Sequence, residues 1–406
     1  MPSGGARTRW GDIVGGFAPS GYFRVAQSSG VWWLVDPEGG RFLSKGINTV
    51  RFDQDEIQGT KRVPYADTCT KKYGSIEAWR AAAAARLAGW GFNTLGSWSD
   101  TAVARAGPPL ALTPNLDLAM SFAWEWNDRH AGLPRMEFPD VFDPAFDKHI
   151  RRRAQERCAA QASDPHILGW FIDNELRWGS DWRGTDPLLA LFLNHATNTP
   201  GRLAATDFLR DRARDPGQSL SSEDCEAFAA LVAERYFALT VTAIKAADPN
   251  HLVLGCRFAL PPPTSAVAAA GRHLDVLTFN CYEDDPSATL LGYAAGGRPC
   301  LIGEFSFRGD DAGLPNTRGA GPRVATQRER ADAFRRYVSA ALRSPAIVGF
   351  HWFEHADQPA EGRFDGENSN FGTVTIEDRV YEALTASMTA VNAEAEILHA
   401  TAAGAA

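Results

Sequence analysis

Two apolar runs in this 406-residue chain stop abruptly at a carboxylate. They are Gly169-Trp170-Phe171-Ile172-Asp173-Asn174-Glu175-Leu176 and, about 130 residues later, Leu301-Ile302-Gly303-Glu304-Phe305. An acid closing a buried strand stands at the mouth of the fold, and two such acids can share one reaction. Cleavage of a glycosidic bond requires that pair: one carboxyl protonates the leaving oxygen while the other, ionised, attacks carbon or activates water. Burial and nearby like charge would hold a proton on the first, and hydrogen-bond donors would keep the second ionised.

The elements that must position these acids alternate between strand and helix. Helical patterns run over 75–89, with Ser75 as cap, from Asp143-Pro144 onward, and over 222–247 and 326–342; a last one starts near Asp378. Between them lie eight strand-like runs near residues 43, 94, 113, 170, 254, 278, 302 and 350. This alternation predicts an α/β fold, a (β/α)8 TIM barrel, whose active site lies at the C-terminal ends of the strands. Glu175 then ends the fourth strand and Glu304 the seventh. Residues 1–41 read as an N-terminal extension carrying a β-hairpin, broken at Ser28-Ser29-Gly30, and 42–398 as the catalytic barrel with its first strand over 42–47. The stretch 177–222 is expected to be an elaborated loop with short helices, and the tail 400–406 to fray.

Composition removes several function classes. With a net charge of −8 and no basic cluster interleaved with aromatics, the chain lacks the footprint of a nucleic-acid or anionic-membrane partner. Its 9 histidines do not form the His-x-His or clustered ligand spacing of a catalytic metal, so neither metal nor cofactor is expected. The six cysteines form no Cys-x-x-Cys pair and read as small buried thiols of a reducing compartment. The N-terminus lacks the apolar core of a signal peptide and no run suggests a membrane span, so a cytoplasmic protein is expected. Twelve Trp could stack on sugar rings, although core packing is the commoner use.

Asn-Glu at the end of strand four with Glu at the end of strand seven resembles glycoside hydrolase clan A, over residues 34–381. The resemblance implies a retaining mechanism, with Glu175 as acid/base, Asn174 on the sugar 2-hydroxyl and Glu304 as nucleophile. It also implies that Tyr282 hydrogen-bonds the nucleophile and that Trp352, on strand eight, is the aromatic platform under the sugar. Arg51 and Arg257 are weaker candidates for supporting the nucleophile. Trp98, Trp178 and Trp182 are candidates for further sugar subsites, with packing as the alternative, and His351 and His355 flank the platform. The loop 357–372 is dense in polar side chains, Glu367 and Asn368 among them, and suits hydroxyl recognition. Its Asp-Gln-Pro and Asp-Gly-Glu-Asn elements are similar to the corresponding loop of β-agarase-type and β-galactosidase-type members. The implied partner is a β-linked oligosaccharide or small glycoside, β-galactoside or agaro-oligosaccharide-like, cleaved by double displacement. A non-catalytic carbohydrate-binding barrel and a transglycosylase of the same clan are the alternatives.

Overall fold

Aromatic and β-branched residues between tight turns build the N-terminal sheet. In the computed structural model, which describes residues 8–10, 16–215 and 219–402, β1 (Arg24–Ser28), β2 (Val31–Val35) and β3 (Arg41–Phe42) pair antiparallel. Ser29 and Gly30 turn the hairpin, both at positive φ (53° and 79°), a two-residue loop whose twist matches its strands. Phe42 therefore belongs to this small sheet, opposite Leu34, and not to the first central strand. Of the tail expected to fray, 403–406 lie outside the described residues, and Ala400 still closes the last helix.

Strands and helices alternate from there. In order come β4 (Ser44–Ile47), α1 (Pro64–Tyr73), α2 (Ile76–Gly89), β5 (Thr94–Leu95), β6 (Ala111–Leu112), α3 (Leu118–Arg129), α4 (Pro144–Cys158) and β7 (Gly169–Phe171). Next are α5 (Leu188–Leu193), α6 (Pro200–Asp211), α7 (Ser222–Ala247), β8 (Leu252–Gly255), α8 (Thr264–His273), β9 (Leu277–Asn280), α9 (Ser287–Ala294) and β10 (Cys300–Phe305). A small pair, β11 (Arg308–Gly309) and β12 (Arg323–Val324), precedes α10 (Gln327–Leu342), β13 (Ile347–Trp352) and α11 (Glu382–Ala400). Six strands form one parallel sheet in the order β6-β5-β4-β13-β10-β9, and β7 pairs parallel with β8. Isolated parallel bridges link the two sheets on both sides: Leu112 to Ile167 and Asn115 to Phe171, and Phe258 to Phe279. The fold is α/β, with parallel strands throughout its centre.

Local chemistry starts several of these helices. Ser75, Asp143, Ser221 and Thr326 each accept a hydrogen bond from a first-turn amide of α2, α4, α7 and α10. The last helix starts at Glu382, later than the sequence suggests, because Asp378 is a buried ion-pair centre that binds Arg86 and Lys72. Helix α7 is long and apolar enough to cross a membrane, by length and composition, yet half of its most apolar window is buried where it packs on α4 and α8.

The small sheet covers the starts of the central strands. Phe23, Leu34 and Phe42 share a buried cluster with Leu168, Leu252, Val276, Leu301 and Val348, residues at or just before the first turns of their strands. The opposite strand ends are left for polar side chains. All six cysteines are free thiols, and five are buried.

Candidate active site

The strand ends gather their terminal polar residues around one cavity of about 800 Å³. Glu304, near the end of β10, is 5% exposed and accepts two hydrogen bonds: Arg257 Nη2 at 2.5 Å and Tyr282 Oη at 2.6 Å. Such charge-assisted bonds are the partners that a buried carboxylate needs. Glu175, beyond β7, takes Asn280 Nδ2 at 2.8 Å. Burial, and then the charge of Glu304, push the Glu175 carboxyl up to about 7. The two acids therefore sit in opposite settings: one is clasped by donors, the other tends to keep its proton.

Arg257 organises the floor. Its side chain is fully buried; Nε donates to Asn174 Oδ1 at 2.8 Å, Nη1 to Ser97 Oγ at 2.7 Å and Nη2 to Glu304. The guanidinium also lies 5.0 Å from the Trp98 ring and 4.8 Å from Phe171, close enough for cation–π attraction. Asn280 pairs with Glu304 across β9 and β10 and reaches both Asn174 and Glu175, so one amide ties the two acid-bearing strand ends together. Asp173 supports this arrangement from behind. It accepts from the Ala119 and Met120 amides and from Tyr236 Oη, which fastens the start of α3 to the end of β7.

Thr49 (φ 57°), Asp55 (55°), Trp98 (61°) and Glu175 (52°), all lining the cavity, and Arg257 (50°) beneath it hold left-handed backbone. Such conformations are uncommon for residues with a side chain and concentrate where function needs them.

One wall is polar and closed. Arg363 Nη2 bonds Glu367 at 2.8 Å and Asp365 at 3.0 Å, while its Nη1 stands 3.8 Å from Glu354 and 3.9 Å from Asp55. Burial is the main cause that pushes Asp55 up to about 6 and Glu354 well above the usual carboxylate range. Gln358 bridges Glu354 and Glu367, while the Gln58 side chain donates to the Phe364 carbonyl and its amide to that of Gly362, closing the loops over one another. Around the rim stand three exposed apolar side chains, Trp182, Leu260 and Phe364.

Of the residues singled out in the sequence, Glu175, Glu304, Asn174, Tyr282, Trp98, Arg51 and Glu367 all line this cavity. Arg51 is paired with Asp53 rather than with Glu304, and Arg257 takes that acid instead. Trp352 does not reach the cavity: it is fully buried, its Nε1 donates to the Phe371 carbonyl, and its ring packs on Phe305 and under Arg330. The aromatic residue of this strand end that lines the cavity is its neighbour Phe353. Trp178 is likewise core, stacked on Phe237 at 5.7 Å. Asn368 lies off the cavity and binds Thr317 and the Arg318 amide, stapling two loops. His351 is buried against Ser44 and His355 against Tyr65. Asn280, Asp55, Arg363 and Phe353 are not among the candidates that the sequence offers. Of these only Asn280 carries a legible signal, since it ends an apolar strand as Asn174 does.

The Arg257–Glu304 pair is buried on both sides, which makes its removal costly. Arg257→Met is expected to destabilise the protein by about 3 to 5 kcal/mol, because Glu304 is left charged without its cation. Thermal unfolding would show the loss, and adding Glu304→Gln should recover part of it. An additive double variant would show that the pair is not coupled.

No protein-family model matches the chain. Among curated proteins it is 28% identical over 457 residues to Beta-agarase A of Vibrio sp. (strain JT0107), covering 90% of this chain and 45% of the relative. To Beta-agarase B of the same organism it is 25% identical over 472 residues, covering 91% of this chain and 48% of the relative. The chain thus spans about half the length of the curated relatives it matches. Among solved structures, BpGH50 superposes with a TM-score of 0.81 at 25% identity, covering 97% of this chain and 86% of that one. The chain is related by sequence to β-agarases, and this homology supports a glycoside hydrolase with an α/β fold.

Proposed function

We propose that the protein is a retaining β-glycoside hydrolase of the clan A type, built on a closed (β/α)8 barrel and acting on agaro-oligosaccharides. The observation that carries this reading is the contrast between the two acids: Glu304 held by Arg257 and Tyr282, Glu175 pushed up by burial and by Glu304 itself. The parallel bridges from β6 to β7 and from β8 to β9 support closure of the barrel. The likeness to β-agarases supports the substrate class.

In this mechanism a Glu304 oxygen attacks the anomeric carbon while the bond to the leaving oxygen breaks and that oxygen takes the Glu175 proton. Glu175, now a carboxylate, removes a proton from water, whose oxygen displaces Glu304 and regenerates both acids. Asn174 supports the glycosylation step from the sugar side. Arg257 only donates, so the oxygen of the Asn174 amide must face it. That leaves Nδ2, which has no protein partner among the described residues, to donate to a sugar hydroxyl.

Retention is tested by the first product. Proton NMR during hydrolysis of agarose-derived oligosaccharides should show the new reducing end as the β anomer, with the α anomer following only by mutarotation. An α anomer appearing first would rule out the double displacement even if both acids proved essential.

A further inference from the structure

Part of the cavity rim is tied to Glu175. Arg183 Nη2 donates to the Glu175 carbonyl at 2.9 Å, and the same guanidinium lies 4.6 Å over the ring of Trp182. One face of that indole is therefore covered, yet the residue is 64% exposed at the cavity edge. Leu260, 49% exposed, lines the same cavity and with Pro261 forms a ridge that is shared with a second cavity of about 550 Å³. Ser180, Asp181, Thr185 and Glu226 line that second cavity, so beyond the apolar ridge the surface again offers hydroxyl-matching groups.

Resting on the glycosidase reading above, we propose that Trp182 and Leu260 form a shelf for the sugars on the leaving-group side of the scissile bond, continuing into the second cavity. The side follows from the chemistry: the leaving oxygen must touch Glu175, so whatever is attached to it continues past Glu175, away from the donors that hold Glu304. A sugar ring presents an apolar face of C–H groups with hydroxyls at its edge. An indole with one free face beside an apolar ridge fits the former, and the polar second cavity fits the latter. The Arg363 guanidinium, by contrast, is tied up in its own ion pairs with Asp55, Glu354, Asp365 and Glu367. The preferred leaving group is then itself a saccharide, and Trp182 is a specificity residue.

Trp182→Ala is expected to lower kcat/KM for an agarose-derived tetrasaccharide by about tenfold, the loss of one stacking contact. Turnover of β-galactosyl fluoride, whose leaving group is a single atom, should stay within about twofold of the parent. Trp182→Phe should keep most activity on the tetrasaccharide. Equal losses on both substrates would make the residue merely structural, and an unchanged tetrasaccharide rate would remove the shelf. Either result overturns the proposal while leaving the glycosidase reading intact. A parent enzyme that cleaves neither compound and, as the Glu304→Gln variant, shows no calorimetric binding of the tetrasaccharide overturns that reading, and the shelf with it.

Discussion

Glu304→Ala is expected to lower turnover of agaro-oligosaccharides by roughly 10⁴-fold or more, since removing a covalent nucleophile leaves only binding and acid assistance. The vacated volume lies directly under the anomeric carbon in the proposed mechanism, and Arg257 and Tyr282 still point donors into it. Azide entering there should restore part of the rate on substrates with reactive leaving groups. The product should be the α-glycosyl azide, because one displacement from the Glu304 side inverts the centre. Mass spectrometry and NMR of that product distinguish the nucleophile from any other essential acid. A β-glycosyl azide, or an Ala variant with normal turnover, would reassign the residue.

The companion result concerns Glu175. Glu175→Ala should cost about 10² to 10⁴-fold on oligosaccharides, the usual worth of a general acid. It should cost little in the first step for dinitrophenyl glycosides, whose leaving group needs no proton. Azide should here yield the β-glycosyl azide, since it replaces water against the glycosyl-enzyme and the two inversions cancel. The pH profile follows from the same residue. Glu175 must carry its proton to act, and burial with the Glu304 charge places its carboxyl at about 7. Activity of the parent should therefore fall as pH rises through about 7, a limb absent from the Ala variant acting on the dinitrophenyl glycoside. A parent profile flat to pH 9 would separate Glu175 from the proton-donor role.

The sequence displays its strands and some of its helices for a common reason. Most central strands are apolar runs ended by a polar or turn residue, with β4 (Ser44–Ile47) the exception, and a strand lies at or beside each of the eight expected positions. Of the helices legible in the sequence, α2, α4, α7 and α10 each begin with a side chain that caps the first turn, while α11 does not. Four of the others, α1, α3, α8 and α9, have no side-chain cap, although α1 has Pro64 in its first turn and Gly74 as a left-handed C-cap; α6 is capped by Thr199 within the stretch read only as a loop with short helices. The start of α3 is instead held by Asp173, 54 residues away in the chain, and no local pattern records such a partner. In the site, Glu175 and Glu304 are legible as strand ends. The choice between Trp352 and Phe353 is not: β13 is buried along its whole length, so hydrophobicity does not reveal which neighbour faces the cavity. Asp55 and Arg363 come from loops after different strands, and only the folded chain brings them together.

The left-handed backbone at Thr49, Asp55, Trp98, Glu175 and Arg257 bears on how this protein can be made more heat-tolerant. Each such residue raises the folded state by on the order of 1 kcal/mol relative to a relaxed conformation. Glycine there would relieve strain only by deleting side chains the site uses: at Glu175 the acid/base residue of the proposed mechanism, and at Arg257 the buried partner of Glu304, whose loss costs more than the strain relieved. Robust variants are better sought away from both cavities, for instance at the uncapped start of α1, where a new cap adds about 1 kcal/mol.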